Sequence, residues 1–191
     1  MVEIARSELI LGGQRSGKSR RAEMLASQWL SQDAQHRAVM LATAQAWDAE
    51  MQARIERHQA DRAQRLPGMQ TVEEPVAIAE AIIKLSTRQT LIVVDCMTLW
   101  LTNLLMPANA SKALDEKEMQ LAAGQLIQAI ADASAPVVLV SNEIGLGVIP
   151  LGKDVRMFVD AQGRLNQLLA AECSRVTLMS AGLPLTLKGN P

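Results

Sequence analysis

Aromatic side chains are scarce in this sequence of 191 residues, which has three Trp, one Phe and no Tyr. Proteins that bind single-stranded nucleic acid stack the bases on aromatic side chains, and few are available here. Basic residues are not in excess either, because 19 Lys and Arg stand against 20 Asp and Glu. A net charge of -1 gives no field that would hold a nucleic-acid backbone. We therefore expect no nucleic-acid partner.

Cysteines and long apolar runs are also few. Cys96 and Cys173 lie in apolar stretches without metal-ligand spacing, which is typical of buried free thiols rather than of a disulfide. The first residues include Glu3 and Arg6 and form no apolar leader. No later segment approaches the roughly 18 uncharged apolar residues of a membrane helix. We expect a cytoplasmic protein without a membrane span.

Hydrophobic residues, at 49% of the chain, are sufficient for a core without cross-links. Short apolar runs predict buried strands at residues 8–11, 38–42, 91–94, 137–140 and 176–179. Apolar residues at three- and four-residue intervals predict helices at 19–30, 48–65, 76–85, 116–133 and 155–173. Flexible connections are expected at 66–71 and 106–112. This alternation predicts one α/β domain over residues 1–191, with a mainly parallel central sheet flanked by helices.

A Walker A pattern lies between the first predicted strand and the first predicted helix. Its residues are Gly12, Gly13, Gln14, Arg15, Ser16, Gly17, Lys18 and Ser19. The glycines let consecutive N–H groups point at phosphate oxygens, and the helix presents its positive end to the same anion. Lys18 would reach the β- and γ-phosphates, and the Ser19 hydroxyl would bind Mg²⁺. A glycine-rich turn that matches by chance is the alternative, and the strand–loop–helix context disfavours it. The pattern predicts a RecA-like P-loop NTPase.

Asp95 ends the apolar run at 91–94, where a Walker B carboxylate belongs. It would hold Mg²⁺ directly or through water. The alternative is a strand-end Asp that caps the following turn. The Walker A pattern in the same chain favours the metal role.

Histidine is present only at His36 and His58. On a helix, Arg54, His58 and Arg62 share one side at four-residue spacing. Two guanidinium groups would gather phosphates, keep the imidazole neutral and leave a ring nitrogen free to attack phosphorus. Asp61 would orient the other ring nitrogen. The alternative is a solvated surface histidine on a helix stabilised by its arginines, and spacing alone leaves both interpretations open.

Together these motifs resemble one family over nearly the whole chain: the bifunctional adenosylcobinamide kinase/adenosylcobinamide-phosphate guanylyltransferases of cobalamin assembly. The segments that carry the resemblance are residues 11–20, 42–45, 48–51, 54–58, 72–75, 95–100, 102–105, 140–147 and 163–167. The joint pattern is far more specific than the phosphate loop alone. Some relatives have two adjacent histidines where this chain has Arg57 and His58, and some have Glu in place of Asp95.

The resemblance implies that His58 accepts GMP from GTP. It also implies nucleotide contacts at Gly12 to Ser19 and, as further candidates, at Thr43, Gln45, Arg62, Glu73 and Asp95. Asn142 and Glu143 belong to a loop at a predicted strand end, a usual ligand position in parallel sheets. Gly163 falls inside a predicted helix, where either close packing or subunit contact would explain it. We leave the roles of Asn142, Glu143 and Arg164 open.

The resemblance therefore implies a two-step enzyme. The first step moves the γ-phosphoryl group of ATP or GTP to adenosylcobinamide with the help of Lys18, Ser19, Asp95 and Mg²⁺. The second moves GMP through His58 to adenosylcobinamide phosphate, and self-association is expected. Two other functions compete with this one. They are a simple P-loop kinase in which His58 is a surface residue, and a nucleotide-dependent regulatory module without covalent chemistry.

Overall fold

The strands of the central sheet alternate along the chain with helices that cover both of its faces. The structure is a computed structural model that describes residues 3–108 and 112–190, apart from the side chain of Arg54. The strands are β1 (Ser7–Gly12), β2 (Arg37–Ala42), β3 (Met69–Glu73), β4 (Thr90–Asp95), β5 (Val137–Val140), β6 (Arg175–Ser180) and β7 (Leu183–Lys188). The helices are α1 (Lys18–Gln32), α2 (Ala49–Arg65), α3 (Ile78–Leu85), α4 (Met97–Leu105), α5 (Glu116–Asp132) and α6 (Lys153–Glu172).

The strand order in the sheet is β3-β2-β4-β5-β1-β6-β7. All neighbouring strands pair in parallel except β6 and β7, which pair antiparallel. Strand β1 is buried along its whole length and therefore carries apolar side chains on both faces. Leu9 and Leu11 pack toward the face that α3 to α6 cover, whereas Ile10 packs toward α1 on the opposite face. The predicted α/β class with a mainly parallel sheet is confirmed.

All five predicted strands and all five predicted helices are present, with ends shifted by a few residues. Three elements were not predicted. Strands β3 and β7 lie at the two edges of the sheet and expose most of their side chains, so neither forms a buried apolar run. Helix α4 was missed for the opposite reason. Its sequence is apolar on nearly every side, so it lacks the one-sided spacing of a surface helix.

The expected flexible connection at residues 66–71 is wrong in part, because β3 begins at Met69. Backbone pairing with β2 holds this segment, although Met69 is its single buried side chain. The second expected connection, 106–112, includes residues 109–111, which lie outside the described residues. In the part of the chain that the structure describes, no helix is long and apolar enough to cross a membrane.

Candidate active site

The phosphate loop connects the carboxyl end of β1 to α1 and depends on two glycines. Gly12 has φ 153°, and a Cβ atom there would lie 2.5 Å from the Met179 carbonyl oxygen. Gly17 has φ 103°, and its Cβ would lie 3.2 Å from the Cα of Gly182. Because L residues with a side chain rarely adopt these angles and no space is left, both positions require glycine. These two glycines therefore allow the backbone to turn sharply from the end of β1 into the amino end of α1.

Lys18 begins α1 and folds back over the loop. Its Nζ donates a hydrogen bond to the Gly13 carbonyl oxygen at 2.7 Å. Burial lowers the pKa of Lys18 below its ordinary value, while the neighbouring Cys96 and Asp95 act in the opposite direction. The lysine charge is therefore held in a partly dehydrated position. Electrostatic attraction to an anion is stronger there than in water.

Asp95 lies at the carboxyl end of β4, and β5 separates β4 from β1 in the sheet. The parallel register aligns Asp95 with Val140 of β5 and Val140 with Ile10 of β1. Its carboxylate acts electrostatically on Lys18. The structure thus brings together the two charged side chains that the sequence assigned to phosphate and metal.

Two serines complete the phosphate loop. The Ser16 hydroxyl is buried and has no hydrogen-bond partner among the described residues. Such a hydroxyl is expected where it donates a hydrogen bond to a bound phosphate oxygen. Ser19 lies in the first turn of α1 and is partly exposed. In the part of the chain that the structure describes, no group of three or more His, Cys, Asp or Glu side chains is placed to hold a metal ion. A Mg²⁺ ion at this site would take most of its ligands from phosphate and water.

Helix α2 carries the candidate nucleophile, His58, and leads into β3, the edge strand at the opposite end of the sheet from β7. Asp48 caps the helix by accepting a hydrogen bond from the Met51 amide at 2.7 Å. Among the described side chains of α2, Arg62 alone is buried, and it donates to the Thr71 hydroxyl at 3.1 Å. His58 is exposed. It makes no hydrogen bond to a described side chain, so the expected contact with Asp61 is absent.

A cleft of about 600 Å³ opens between α2 and the carboxyl ends of β2 and β3, and we call it the β2–β3 cleft. Gln45, Trp47, Gln59 and Glu73 line it. Gln59 donates to the Glu73 carboxylate at 3.1 Å, and Trp47 donates to the Gln45 side-chain oxygen at 3.2 Å. Two of the candidate nucleotide contacts, Gln45 and Glu73, therefore share one cavity.

Thr43 and Arg62 have different surroundings. Thr43 is fully buried at the carboxyl end of β2. Its hydroxyl donates to the Cys96 carbonyl oxygen at 2.7 Å and accepts from the Cys96 amide at 2.8 Å. Its side chain thus fixes the backbone beside Asp95, while Arg62 contacts the edge strand β3. Neither side chain lines the β2–β3 cleft.

Comparison with known proteins tests the family resemblance. The family model described as cobinamide kinase / cobinamide phosphate guanyltransferase matches residues 8–187. The chain belongs to this family. One relative is the bifunctional adenosylcobalamin biosynthesis protein CobP of Pseudomonas aeruginosa. It is 44% identical over 184 residues, which cover 96% of this chain and 98% of the relative. The bifunctional adenosylcobalamin biosynthesis protein CobU of Escherichia coli is 36% identical over 187 residues, covering 94% and 98% of the two chains.

Two solved structures share the fold of this family member at low sequence identity. The flagellar accessory protein FlaH of Methanocaldococcus jannaschii aligns with a TM-score of 0.52 and 12% identity, covering 99% of this chain and 80% of that one. A structure from Pyrococcus horikoshii OT3 aligns with a TM-score of 0.53 and 11% identity, covering 100% of this chain and 89% of that one. At such identities the likeness shows the fold alone.

Two backbone contacts that the sequence did not predict also hold the phosphate loop of this kinase/guanyltransferase fold. The Gly182 amide, in the turn between β6 and β7, donates to the Ser16 carbonyl oxygen at 3.0 Å. The Glu143 amide, in the loop after β5, donates to the Gly12 carbonyl oxygen at 3.1 Å. The Ala181-Gly182 pair, a short turn between two apolar segments, was the available signal for the first contact.

A buried polar network accounts for Asn166 in the segment at residues 163–167. Asn166 donates to the Asn142 carbonyl oxygen at 3.1 Å and accepts from the Ser141 hydroxyl at 2.7 Å. Gln162 donates to the same Ser141 oxygen at 2.9 Å. Helix α6 therefore fixes the loop after β5. A Cβ at Gly163 would meet nothing within 4 Å, so packing within the chain does not require glycine there.

Proposed function

We propose that this chain phosphorylates adenosylcobinamide with ATP or GTP and then transfers GMP from GTP to adenosylcobinamide phosphate, giving adenosylcobinamide-GDP. The observation that carries the proposal is the phosphate loop with Lys18 beside Asp95, in a chain whose family is bifunctional. The names of the two relatives support the same pathway, and this chain aligns with nearly the full length of both.

In the first step the substrate hydroxyl attacks the γ-phosphorus, and the bond to the bridging oxygen of the diphosphate breaks. Lys18 stabilises the charge that develops on the phosphoryl oxygens, and the backbone N–H groups of the loop hold the diphosphate. Ser19 and Asp95 would hold Mg²⁺, which neutralises phosphate charge when bound. The unpartnered Ser16 hydroxyl and the dehydrated Lys18 fit such a polyphosphate ligand.

In the second step a neutral His58 nitrogen attacks the α-phosphorus of GTP, and pyrophosphate leaves. The product is a phosphoramidate between the imidazole and GMP. An oxygen of adenosylcobinamide phosphate then displaces the histidine, and the N–P bond breaks. His58 is exposed on α2, as a nucleophile that a large corrinoid substrate must reach requires.

Labelled GTP distinguishes this enzyme from a simple kinase and from a nucleotide-dependent module. The protein, incubated with Mg²⁺ and GTP labelled at the α-phosphorus, should acquire a GMP adduct that is labile in acid and stable in alkali. Acid protonates the phosphoramidate nitrogen and makes imidazole a good leaving group. GTP labelled at the γ-phosphorus should leave no label on the protein. Absence of an adduct with α-labelled GTP would contradict the covalent second step.

We also propose that the enzyme is cytoplasmic and self-associates. An apolar segment follows the loop after β5, and its side chains are almost fully exposed: Leu146 at 83%, Val148 at 96%, Ile149 at 77% and Leu151 at 97%. Soluble monomers rarely expose so continuous an apolar surface. Sedimentation of the purified protein tests the proposal, because a single species of monomer mass would contradict it.

A further inference from the structure

The loop after β5 leaves the sheet between the two parts of the proposed kinase site. Strand β5 lies between β4, which ends at Asp95, and β1, which leads into the phosphate loop. The carboxyl ends of parallel strands meet at one edge of the sheet, and ligands bind in the crevice outside that edge. The residues that follow Val140 therefore lie between the candidate metal ligand and the phosphate loop.

Backbone contacts carry this loop along the end of β1. The Ser141 amide donates to the Ile10 carbonyl oxygen at 2.9 Å, and the Glu143 amide donates to the Gly12 carbonyl oxygen at 3.1 Å. A Cβ atom at Gly13 would meet nothing within 4 Å, so the phosphate loop is open to a ligand directly after this contact. Glu143 thus brings an acidic residue to the backbone of the phosphate loop.

Two helices fix the same loop from the other side. The Asn142 amide donates to the Thr98 hydroxyl of α4 at 3.0 Å. The Asn142 carbonyl oxygen accepts from the side chain of Asn166 in α6 at 3.1 Å. Because α4, α6 and β1 all hold the backbone at Asn142 and Glu143, this part of the loop is preorganised before a substrate binds.

The Glu143 carboxylate is partly exposed and has no cationic partner. Its Oε1 accepts from the Gly145 amide at 2.8 Å, and none of the ion pairs in the described chain includes it. Asp95 is one of the groups that shift the pKa of Lys18, whereas Glu143 is not. An unpaired negative charge beside a phosphate loop weakens the binding of a polyphosphate. A chemical role would explain why this position carries a carboxylate.

Phosphoryl transfer to an alcohol requires an acceptor for the hydroxyl proton. A positioned carboxylate serves this purpose in many enzymes that act on hydroxyl groups. Asp95 is poorly placed for it, because Asp95 is near Lys18 and would bind Mg²⁺ in the proposed site. Nearby positive charge disfavours protonation of a carboxylate. Glu143 has neither neighbour and lies on the same open edge of the sheet.

We propose that Glu143 is the general base of the kinase step. The adenosylcobinamide oxygen forms its bond to the γ-phosphorus, its O–H bond breaks, and the proton moves to the Glu143 carboxylate. The bond from the γ-phosphorus to the bridging oxygen breaks, and its electron pair stays on the nucleoside diphosphate. Glu143 then releases the proton to solvent, to which its side chain is partly exposed.

The inference rests on the proposed bifunctional activity and assigns Glu143 to one of the two reactions. In GMP transfer the attacking groups are a neutral imidazole nitrogen and an ionised phosphate oxygen. Neither has to lose a proton in order to attack phosphorus, so the second reaction needs no base at Glu143. Loss of this carboxylate should therefore separate the two activities.

Glu143→Gln isolates the proposed base, because the Gln side-chain oxygen still accepts from the Gly145 amide. The kcat for phosphorylation of adenosylcobinamide should fall about a hundredfold, the low end of the usual contribution of a general base. The KM for ATP and the Mg²⁺ concentration for half-maximal activity should not rise, because Glu143 binds neither. The rate of GMP adduct formation from GTP should stay within about twofold of the wild-type rate.

Glu74→Gln is the matched control, because Glu74 follows β3 with the same local geometry. Its amide donates to the Ala42 carbonyl oxygen of the neighbouring strand at 3.0 Å. Its Oε1 accepts from the amide two residues further on, that of Val76, at 3.1 Å. The control variant should retain the wild-type kcat of the kinase step. If both carboxylates only stabilise turns, the two Gln variants should behave alike.

Chemical rescue distinguishes a base from a residue that only positions the loop. Glu143→Ala removes the carboxylate and leaves space for a small one. Sodium formate should raise the kinase rate of this variant by about tenfold in a concentration-dependent way, whereas sodium chloride at equal ionic strength should not. Formate should give no such increase in Lys18→Ala, which lacks a different group.

Three results would overturn the inference. The first is a kinase kcat in Glu143→Gln as high as in Glu74→Gln. The second is a loss of GMP adduct formation, or a rise in the Mg²⁺ requirement, as large as the loss of kcat. The third is failure of formate to raise the rate of Glu143→Ala, which would leave Glu143 a positioning residue. Failure of the wild-type protein to phosphorylate adenosylcobinamide would instead contradict the proposed function itself.

Discussion

The phosphate loop and helix α2 carry the two proposed chemistries, and the chain holds them in different ways. The loop is fixed by backbone hydrogen bonds from Gly182 and Glu143, on both sides of β1. Helix α2 is fixed to its surroundings by polar side chains: Gln59 contacts Glu73, Arg62 contacts Thr71 and Arg65 contacts Glu23. Most of the described α2 surface is exposed.

This difference indicates how one fold supports two reactions. Phosphoryl transfer needs little more than positioned charge and dipoles, which a backbone loop between packed elements supplies. The covalent guanylyl transfer that we propose would need an accessible nucleophile that two large substrates reach in turn, and His58 is exposed on α2. Substitutions that separate the two regions should therefore separate the two activities.

The largest effect is expected from His58→Ala. Phosphoryl transfer to a hydroxyl needs no protein nucleophile, so the variant should convert adenosylcobinamide to its phosphate and accumulate it. GMP transfer through histidine cannot proceed, so no adduct should form with labelled GTP. His36→Ala is the control and should retain both activities, because His36 stacks on Trp29 and does not line the β2–β3 cleft. Near wild-type formation of adenosylcobinamide-GDP by His58→Ala would show that another nucleophile or direct transfer operates.

Lys18→Ala should reduce the kinase step about a hundredfold, the usual size of one lost electrostatic contact in a transition state. The fold should be preserved, because the Lys18 ammonium makes its hydrogen bond to a loop carbonyl rather than to a core group. Circular dichroism and the thermal midpoint provide the control for folding. A wild-type kinase rate in this variant would mean that the loop does not bind the reacting phosphates.

Asp95→Asn should have a smaller effect, about tenfold on the kinase rate at saturating Mg²⁺, because a neutral ligand of equal size replaces a charged one. The Mg²⁺ concentration for half-maximal activity should rise. Titration of activity against Mg²⁺ measures both quantities. An unchanged Mg²⁺ dependence would contradict the Walker B assignment and leave Asp95 as a turn-capping residue.

The elements that the sequence predicted are those whose pattern reports burial directly. Strand β4 is a continuous buried run. The start of α5 has a different local feature, a capping box in which Asp115 and Glu118 exchange hydrogen bonds. Edge strands β3 and β7 were missed because their stability comes from pairing with one neighbour rather than from apolar burial. Pairing with a single neighbouring strand leaves no run of buried apolar residues in either segment.

The candidate site divides in the same way. The glycines and Lys18 stand next to each other in sequence, and their local geometry decides the loop, so a pattern suffices to find them. The contacts from Gly182 and Glu143 depend on which strands flank β1, and strand order is not a local property of sequence. Gln45 and Glu73 were named from the family resemblance, and their shared cleft depends on pairing between β2 and β3. Their roles in binding nucleotide remain predictions.

The smallest effect is expected from thiol reagents, which test whether the region beside the phosphate loop is as closed as its contacts indicate. Burial, and next the negative charge of Asp95, raise the pKa of Cys96 from 9.0 to about 11. A raised thiol pKa lowers the fraction of reactive thiolate at any pH below it. For Cys96, a rise of two pKa units makes the thiolate fraction at pH 8 about a hundredfold lower. Burial raises the pKa of Cys173 to about 12, so its thiolate fraction is lower still. Iodoacetamide at pH 8 should therefore leave both cysteines unmodified and both activities unchanged, whereas diethylpyrocarbonate should reach the exposed His58 and abolish adduct formation. Mass spectrometry of the treated protein measures each modification, and rapid alkylation of Cys96 in the folded enzyme would show that the loop region opens far more than its backbone contacts suggest.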